Sequence, residues 1–263
     1  MPTTTAQPLS RLMGASLLML AVAACGSPAS APEPAAPEAA APEETQAAPA
    51  DTAGLSEEDI AAGWKMLFNG KDLTGWKGYK TDTPGAAWVV DEEGSLALTQ
   101  GGAGDIMTVE QFGPFELSLE WKISPNGNSG IIYLVQEVDG ADNTYNTGPE
   151  MQVLDNDGHP DGKIPSHRAG ALYDIETPPD GAVFPPGSWN LAVVRFTGTE
   201  IEHRLNGVIV ASSSYGDEAW KAKVAASKFR QWPPFGTFSS GHIALQDHGD
   251  KVWYRNIRIR PLP

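Results

Sequence analysis

Nine consecutive residues, Phe115-Glu116-Leu117-Ser118-Leu119-Glu120-Trp121-Lys122-Ile123, alternate apolar and polar without a break. In a β-strand successive side chains point to opposite faces, so this run puts every large apolar group on one face. A helix would scatter the same groups around its axis. The run is therefore read as a half-buried strand of an antiparallel sheet. Gly130–Val135 is a shorter and more apolar run. Alternation returns at Glu150–Leu154, Leu191–Phe196, Ile201–Leu205, Ile209–Ala211, Gly241–Gln246 and Val252–Arg260. Gly, Pro, Asn and Asp separate these segments, and only Asp217–Ser227 reads as a helix. Many short strands with turns between them predict an all-β domain, a two-sheet antiparallel β-sandwich or jelly roll. The 200 residues from Trp64 to Pro263 show no internal repeat, which favours one two-sheet domain over two small ones.

The segment ahead of this domain has a different character. Residues 1–24 read as a secretory signal, with Arg11 as the positive end and Leu17-Leu18-Met19-Leu20-Ala21-Val22 as a short apolar stretch. That stretch is too short for a permanent membrane span. Val22-Ala23-Ala24-Cys25 resembles the bacterial lipobox, which makes Cys25, the only cysteine in the chain, a lipidated first residue of the mature protein. Gly26 follows rather than Asp, which points to a lipid anchor in the outer membrane facing the periplasm. From Gly26 to Gly54 there are 11 Ala, 6 Pro and 4 Glu, with no Lys, Arg, aromatic, Val, Ile or Leu. Nothing there can build a core, so residues 25–63 read as a lipidated cysteine on a semi-extended tether. Its last residues, Leu55–Gly63, predict a helical turn or two with Ser56 as N-cap.

The formal charge of the chain is −15, which argues against nucleic acid as a partner, because phosphates demand Lys and Arg. A lone cysteine excludes an intramolecular disulfide framework and any cysteine-based zinc cluster.

What a sandwich does is decided by its polar faces. Glu150 and Gln152 share one face of their strand while Met151 and Val153 face the core, and Asp155 follows where a bulge could return it to the polar face. The alternating nine-residue run offers Glu120 and Lys122, and the segment Gly241–His248 offers His242, Gln246 and His248. Acids, amides and imidazoles on strands expected to share one sheet predict a ligand cleft rather than a solvated face. Asn128, in Asn128-Ser129-Gly130, is either a turn residue or a ligand contact. Asn206-Gly207 reads as a hairpin turn. His159 and His167 lie in a polar loop and read as exposed, and His203 lies mid-strand beside apolar residues.

Several longer segments carry a family resemblance. They include Leu67-Phe68-Asn69-Gly70-Lys71-Asp72-Leu73-Thr74-Gly75-Trp76, Gly148-Pro149-Glu150-Met151-Gln152-Val153-Leu154-Asp155, Gly170-Ala171-Leu172-Tyr173-Asp174, His203-Arg204-Leu205-Asn206-Gly207 and Gly241-His242-Ile243-Ala244-Leu245-Gln246-Asp247-His248-Gly249. In this order along the domain they resemble the 3-keto-disaccharide hydrolase family. Met151 and Arg204 depart from it, standing where an aromatic is expected. The resemblance implies a concanavalin A-like jelly roll acting on 3-keto-glycosides. A C3 ketone acidifies the proton on C2. Its removal gives an enolate, which expels the C1 aglycone, and water then adds back. This needs a base near neutrality, donors for the enolate oxygen and an acid for the leaving group. Glu150 and His248 are the catalytic candidates, with base and acid unassigned. Glu120, Lys122, Asn128, Gln152, Asp155, His242 and Gln246 are the substrate-binding candidates. His248 sits in Gln246-Asp247-His248-Gly249, where the Asp247 turn carboxylate could orient it. A divalent metal could polarise the ketone, held by Glu150, Asp155 or a histidine, but no metal-spacing motif is present. With no glycine-rich nucleotide motif, a separate oxidoreductase must supply the ketone. Two alternatives compete. One is a laminarinase-like two-carboxylate hydrolase, weakened because Gln152 stands where the middle acid would be. The other is a surface-tethered, non-catalytic glycan-binding module on the same fold.

Overall fold

The computed structural model describes residues 54–263, so the secretory signal, Cys25 and most of the tether lie outside the described residues. In chain order the strands are β1 (Lys65–Met66), β2 (Trp76–Gly78), β3 (Trp88–Val90), β4 (Leu96–Leu98), β5 (Ile106–Thr108), β6 (Phe115–Ile123) and β7 (Asn128–Val135). They continue with β8 (Glu150–Leu154), β9 (Asn190–Phe196), β10 (Glu200–Leu205), β11 (Val208–Ser214), β12 (His242–Leu245) and β13 (Val252–Pro261). One sheet has eight strands in the order β11-β10-β9-β6-β13-β4-β3, with β1 added on β13. The other has five, in the order β2-β5-β12-β7-β8. Every pairing is antiparallel, as the alternating pattern requires.

The two sheets bury their inner faces against each other. Phe115, Leu117, Leu119, Trp121 and Ile123 from β6 enter one apolar cluster with Ile131 and Tyr133 of β7, Met151 and Val153 of β8, and Ile243 and Leu245 of β12. Each such side chain contributes about 1.5–3 kcal/mol relative to exposure, which is why the period-2 pattern dictates the layer order. A smaller second cluster, Met107, Ile132, Val135 and Ala244 with Tyr79 and Tyr145 against it, lies on the other face of the five-stranded sheet. That outer face is therefore covered rather than bare.

The local features follow the sequence closely. Ser56 caps a short helix, Glu57–Ala61, in a reciprocal capping box with Asp59. Asp217 caps the helix Glu218–Ala226 by accepting the Trp220 N–H at 2.7 Å. Asn206 and Gly207 turn β10 into β11 with φ of 52° and 86°, as a type I′ hairpin needs. The Asn206 amide also donates to the Ala182 carbonyl and to Asn190 Oδ1, both at 2.8 Å, so this residue is structural.

One expectation fails. β6 belongs to the eight-stranded sheet, whereas β8 and β12 belong to the five-stranded sheet. The polar faces of β6 and β8 thus look away from each other across the core.

Candidate active site

Directly paired residues in an antiparallel sheet point to the same side. Glu150 pairs with Ile132, Ile132 with Ala244, Ala244 with Met107, and Met107 with Lys77, giving one row across the outer face of the five-stranded sheet. In the next row Gln152 pairs with Gly130, whose carbonyl accepts the Gln246 N–H at 3.0 Å. Asn128 begins the third row, paired with Leu154. Glu150, Gln152, Asn128 and Gln246 are all buried, so an acid and three amides form a polar strip beside an apolar one. Gly130 makes room for it: a Cβ at this position would lie 2.1 Å from Glu150 Oε1.

Glu150 is 4% exposed, and no basic side chain pairs with its carboxyl group among the described residues. Burial pushes its pKa up to about 8, while Lys228 pulls it down and Asp105 and Asp161 add to the rise. The Gln152 amide can be turned either way. In one orientation its nitrogen donates to Asn128 Oδ1 at 3.1 Å. In the other it donates to Glu150 Oε1 at 2.9 Å and to the Ser129 carbonyl at 3.2 Å. The second orientation supplies the carboxylate with a donor. Asp105 is itself raised, chiefly by burial; it accepts the Thr144 hydroxyl at 2.5 Å and the Asp247 N–H at 2.9 Å.

A second group of side chains borders Glu150. The Tyr173 N–H donates to the Glu150 carbonyl at 3.0 Å. The Tyr173 hydroxyl lies 3.1 Å from His167 Nδ1 and 3.3 Å from Asp161 Oδ2, and the two rings stack with centroids 4.2 Å apart. His167 Nε2 lies 3.3 Å from Asp174 Oδ1. Lys228 Nζ stands 4.1 Å from the centre of the Tyr173 ring and 5.7 Å from that of Tyr145. Asp174 accepts the Lys228 N–H at 2.7 Å, fixing the start of the segment that carries this cation.

The structure places the sequence-derived candidates in five locations. Glu150, Gln152, Asn128 and Gln246 form the strip. His248 lies beyond the Asn128 row with His159 and Asp250, in a group whose ligand atoms all lie within 4.8 Å of one another. Asp247 does not orient it: the Asp247 carboxylate accepts the N–H groups of Ala103, Gly104 and Gly249, at 2.7, 2.9 and 3.0 Å. Asp155 holds its own loop, accepting from the Asn126, Asp157 and Gly158 N–H groups, so its oxygens are engaged by backbone. His242 is likewise engaged. Its Nδ1–H donates to the Thr108 carbonyl at 2.7 Å, Gln111 donates to its Nε2 at 3.0 Å, and burial lowers its pKa. Glu120 and Lys122 lie on the outer face of the opposite sheet. Arg255 donates to Glu120 at 2.5 Å, and Lys122 Nζ stands 4.8 and 4.9 Å from the ring centres of Trp189 and Trp253. His203 is a core residue between the Tyr133 hydroxyl at 2.9 Å and the Gly170 carbonyl at 3.2 Å, and burial lowers its pKa to about 4.

Sequence reasoning missed Asp105, Asp161, Tyr173 and Lys228. Asp105 carried a faint signal, because it alternates with Met107 against Ile106 and Thr108. Tyr173 lies in a turn, and Asp161 and Lys228 lie in two separate 3₁₀ helices, where no periodicity assigns a face.

Comparison with known proteins agrees with the two-sheet fold. A family model described as a 3-keto-α-glucoside-1,2-lyase-like domain matches residues 63–260. A 3-keto-disaccharide hydrolase from Bacteroides thetaiotaomicron is 37% identical over 231 residues, 77% of this chain and 79% of its own length. A candidate glycosyl hydrolase from Parabacteroides distasonis superposes with a TM-score of 0.74 at 35% identity, covering 80% of this chain and 98% of that one. A second from the same organism gives 0.60 at 28% identity, with coverage of 76% and 99%. The match over almost all of the described domain shows that the chain belongs to the 3-keto-α-glucoside-1,2-lyase-like family.

Proposed function

We propose that this protein cleaves 3-keto-glycosides by elimination and rehydration, with Glu150 moving the C2 proton. A glycoside-cleaving enzyme is what the family and the 37%-identical relative support. The observation that carries the finer reading is the buried Glu150 carboxyl, with no basic side chain paired to it among the described residues and a pKa of about 8 that suits proton transfer near neutrality. The carboxylate takes the C2 proton, and the C2–H electron pair forms the C2–C3 double bond of an enolate. As the enolate collapses, the C1–O bond breaks and the aglycone leaves with that electron pair, taking a proton. Water adds to C1 of the resulting enone and a proton returns to C2. The Gln152, Asn128 and Gln246 amides lie in the same strip as donors for sugar oxygens. The Lys228 ammonium favours negative charge at this end of the site.

The test is reaction of a 3-keto-disaccharide in heavy water. Elimination places deuterium at C2 of the released 3-keto sugar, and unoxidised disaccharides react little or not at all. Asp105 favours a second reading, direct displacement at C1 with two carboxylates, because it is a second, partly buried acid that acts on Glu150. Displacement leaves C2 unlabelled after correction for non-enzymatic exchange.

The cellular setting is proposed from sequence alone. Cys25 anchors the domain by lipid in the outer membrane facing the periplasm, and a separate oxidoreductase makes the ketone. Cys25→Ser releases soluble, unacylated protein if the anchor is real; membrane retention of that variant, with no acyl chain on the wild type, removes the anchor.

A further inference from the structure

We propose that His159, His248 and Asp250 form a binding site for a divalent transition-metal cation at the end of the polar strip. Their ligand atoms lie within 4.8 Å of one another, and no hydrogen bond closes the group internally among the described residues. Metal–nitrogen and metal–oxygen bonds near 2.0–2.2 Å set tetrahedral ligand atoms roughly 3.4 Å apart, so side-chain rotations that close the widest gap by about 1 Å or more complete the shell. Two imidazoles and one carboxylate suit zinc, cobalt, nickel or manganese better than calcium or magnesium, which prefer all-oxygen shells. Three protein ligands also leave coordination positions for water or a substrate oxygen, as a working rather than a purely structural metal requires.

The scaffold holds these side chains before any ion arrives. His159 follows a loop organised by the Asp155 carboxylate, and its own N–H donates to the Asp155 carbonyl at 3.0 Å. A Cβ on Gly158 would lie 2.3 Å from Asp155 Oδ2, so this approach needs glycine. His248 and Asp250 lie on the turn pinned by the Asp247 carboxylate, where Gly101 packs so closely on Gly249 that a Cβ on it would lie 2.5 Å from the Gly249 Cα. One Asp250 oxygen accepts the Asn128 N–H at 3.1 Å, which fixes its carboxylate and ties the group to the strip. The two imidazoles meet edge to face with centroids 6.0 Å apart, and His248 makes no hydrogen bond among the described residues. An exposed imidazole held beside a second one and a fixed carboxylate is placed to share a cation with them.

One bond opposes loading. His159 Nδ1 accepts the Asp161 N–H at 3.2 Å. A metal on Nδ1 takes that lone pair, and a metal on Nε2 requires a proton on Nδ1. Either way the Asp161 bond breaks, so the Asp161 amide reports occupancy. The test of the site is binding rather than turnover.

The intact protein, stripped by a chelator, is titrated with zinc and cobalt(II) by calorimetry and visible absorption, with the Asp161 amide followed by NMR. One equivalent should bind, a cobalt ligand-field spectrum should appear and the Asp161 resonance should move. His248→Ala, Asp250→Asn and His159→Ala should each weaken affinity about tenfold or more. Glu120→Gln, on the opposite sheet, should bind as wild type. His248 is exposed, so its variant tests the site even where His159→Ala fails to fold. No uptake by folded protein at millimolar metal overturns the proposal. So does binding that survives undiminished in folded His248→Ala and Asp250→Asn, or that is lost instead in Glu150→Gln.

Discussion

The outer faces of the two sheets carry similar residue types with opposite consequences. On the eight-stranded sheet, Glu120 pairs in register with Arg255 and Glu116 with Arg260, and both pairs form ion pairs, at 2.5 and 3.2 Å. Lys122 pairs with Trp253 and lies over its ring. Each charge meets its complement on the neighbouring strand and stays partly in water. On the five-stranded sheet, Glu150 is opposite Ile132 and Gln152 is opposite Gly130. There the carboxyl meets an apolar neighbour, is covered by the chain and is pushed towards neutrality. Partnered surface charges are worth little and do no chemistry. A buried acid with no cation beside it is unfavourable for stability, and such groups concentrate at functional sites.

The largest break in this comparison should come from Glu150→Gln, which should lower kcat by about 10²–10⁴-fold if the group transfers a proton. Near-normal turnover in the folded variant would leave Glu150 as a structural hydrogen-bonding group. Gly130→Ala is next. Its methyl group would occupy the space of the carboxylate oxygen, so kcat should fall about 10²-fold while the far-UV circular dichroism is unchanged. Turnover within a factor of two of wild type would show that the side chain relocates without consequence. Lys228→Met sharpens the electrostatics. The lysine lowers the Glu150 pKa, so its loss should raise it above about 8. For a base that works ionised, the rising limb of kcat/KM against pH should then move to higher pH. A shift to lower pH, or none, would detach Lys228 from Glu150. The smallest effect belongs to the opposite sheet: Glu120→Gln should change stability by less than about 1 kcal/mol and leave kcat/KM unaltered. A large loss of activity there would reinstate that face as part of the site.

The legibility of the site follows the same division. Glu150 and Gln152 could be placed on one polar face because Met151 and Val153 alternate with them, and the core took those two as expected. Glu120 and Lys122 obeyed the identical rule and were equally visible, yet they ended on the far side of the sandwich. Alternation says that a residue leaves the core, not which of two outer surfaces it joins. Asp155 and His242 were visible as polar groups, but their engagement by the Asn126, Asp157 and Gly158 amides and by Thr108 and Gln111 depends on loop conformation. Tyr173, Asp161 and Lys228 had no periodic context at all.

By itself the sequence determined the strands from Phe115 onward, their inward set of side chains, the Asn206-Gly207 turn and the cap at Ser56. All of these arise from neighbours within a few residues, through the pleat, φ preference and local hydrogen bonds. The five short strands β1–β5 carried no alternation long enough to read. Only the tertiary structure decided which strands share a sheet, which acid finds a cation and which is left buried beside Ile132. Those outcomes depend on register between segments far apart in the chain, as where His159 meets His248 and Asp250. Hydrophobic burial is non-directional: it selects the inner faces of the strands but does not specify which strand lies beside which.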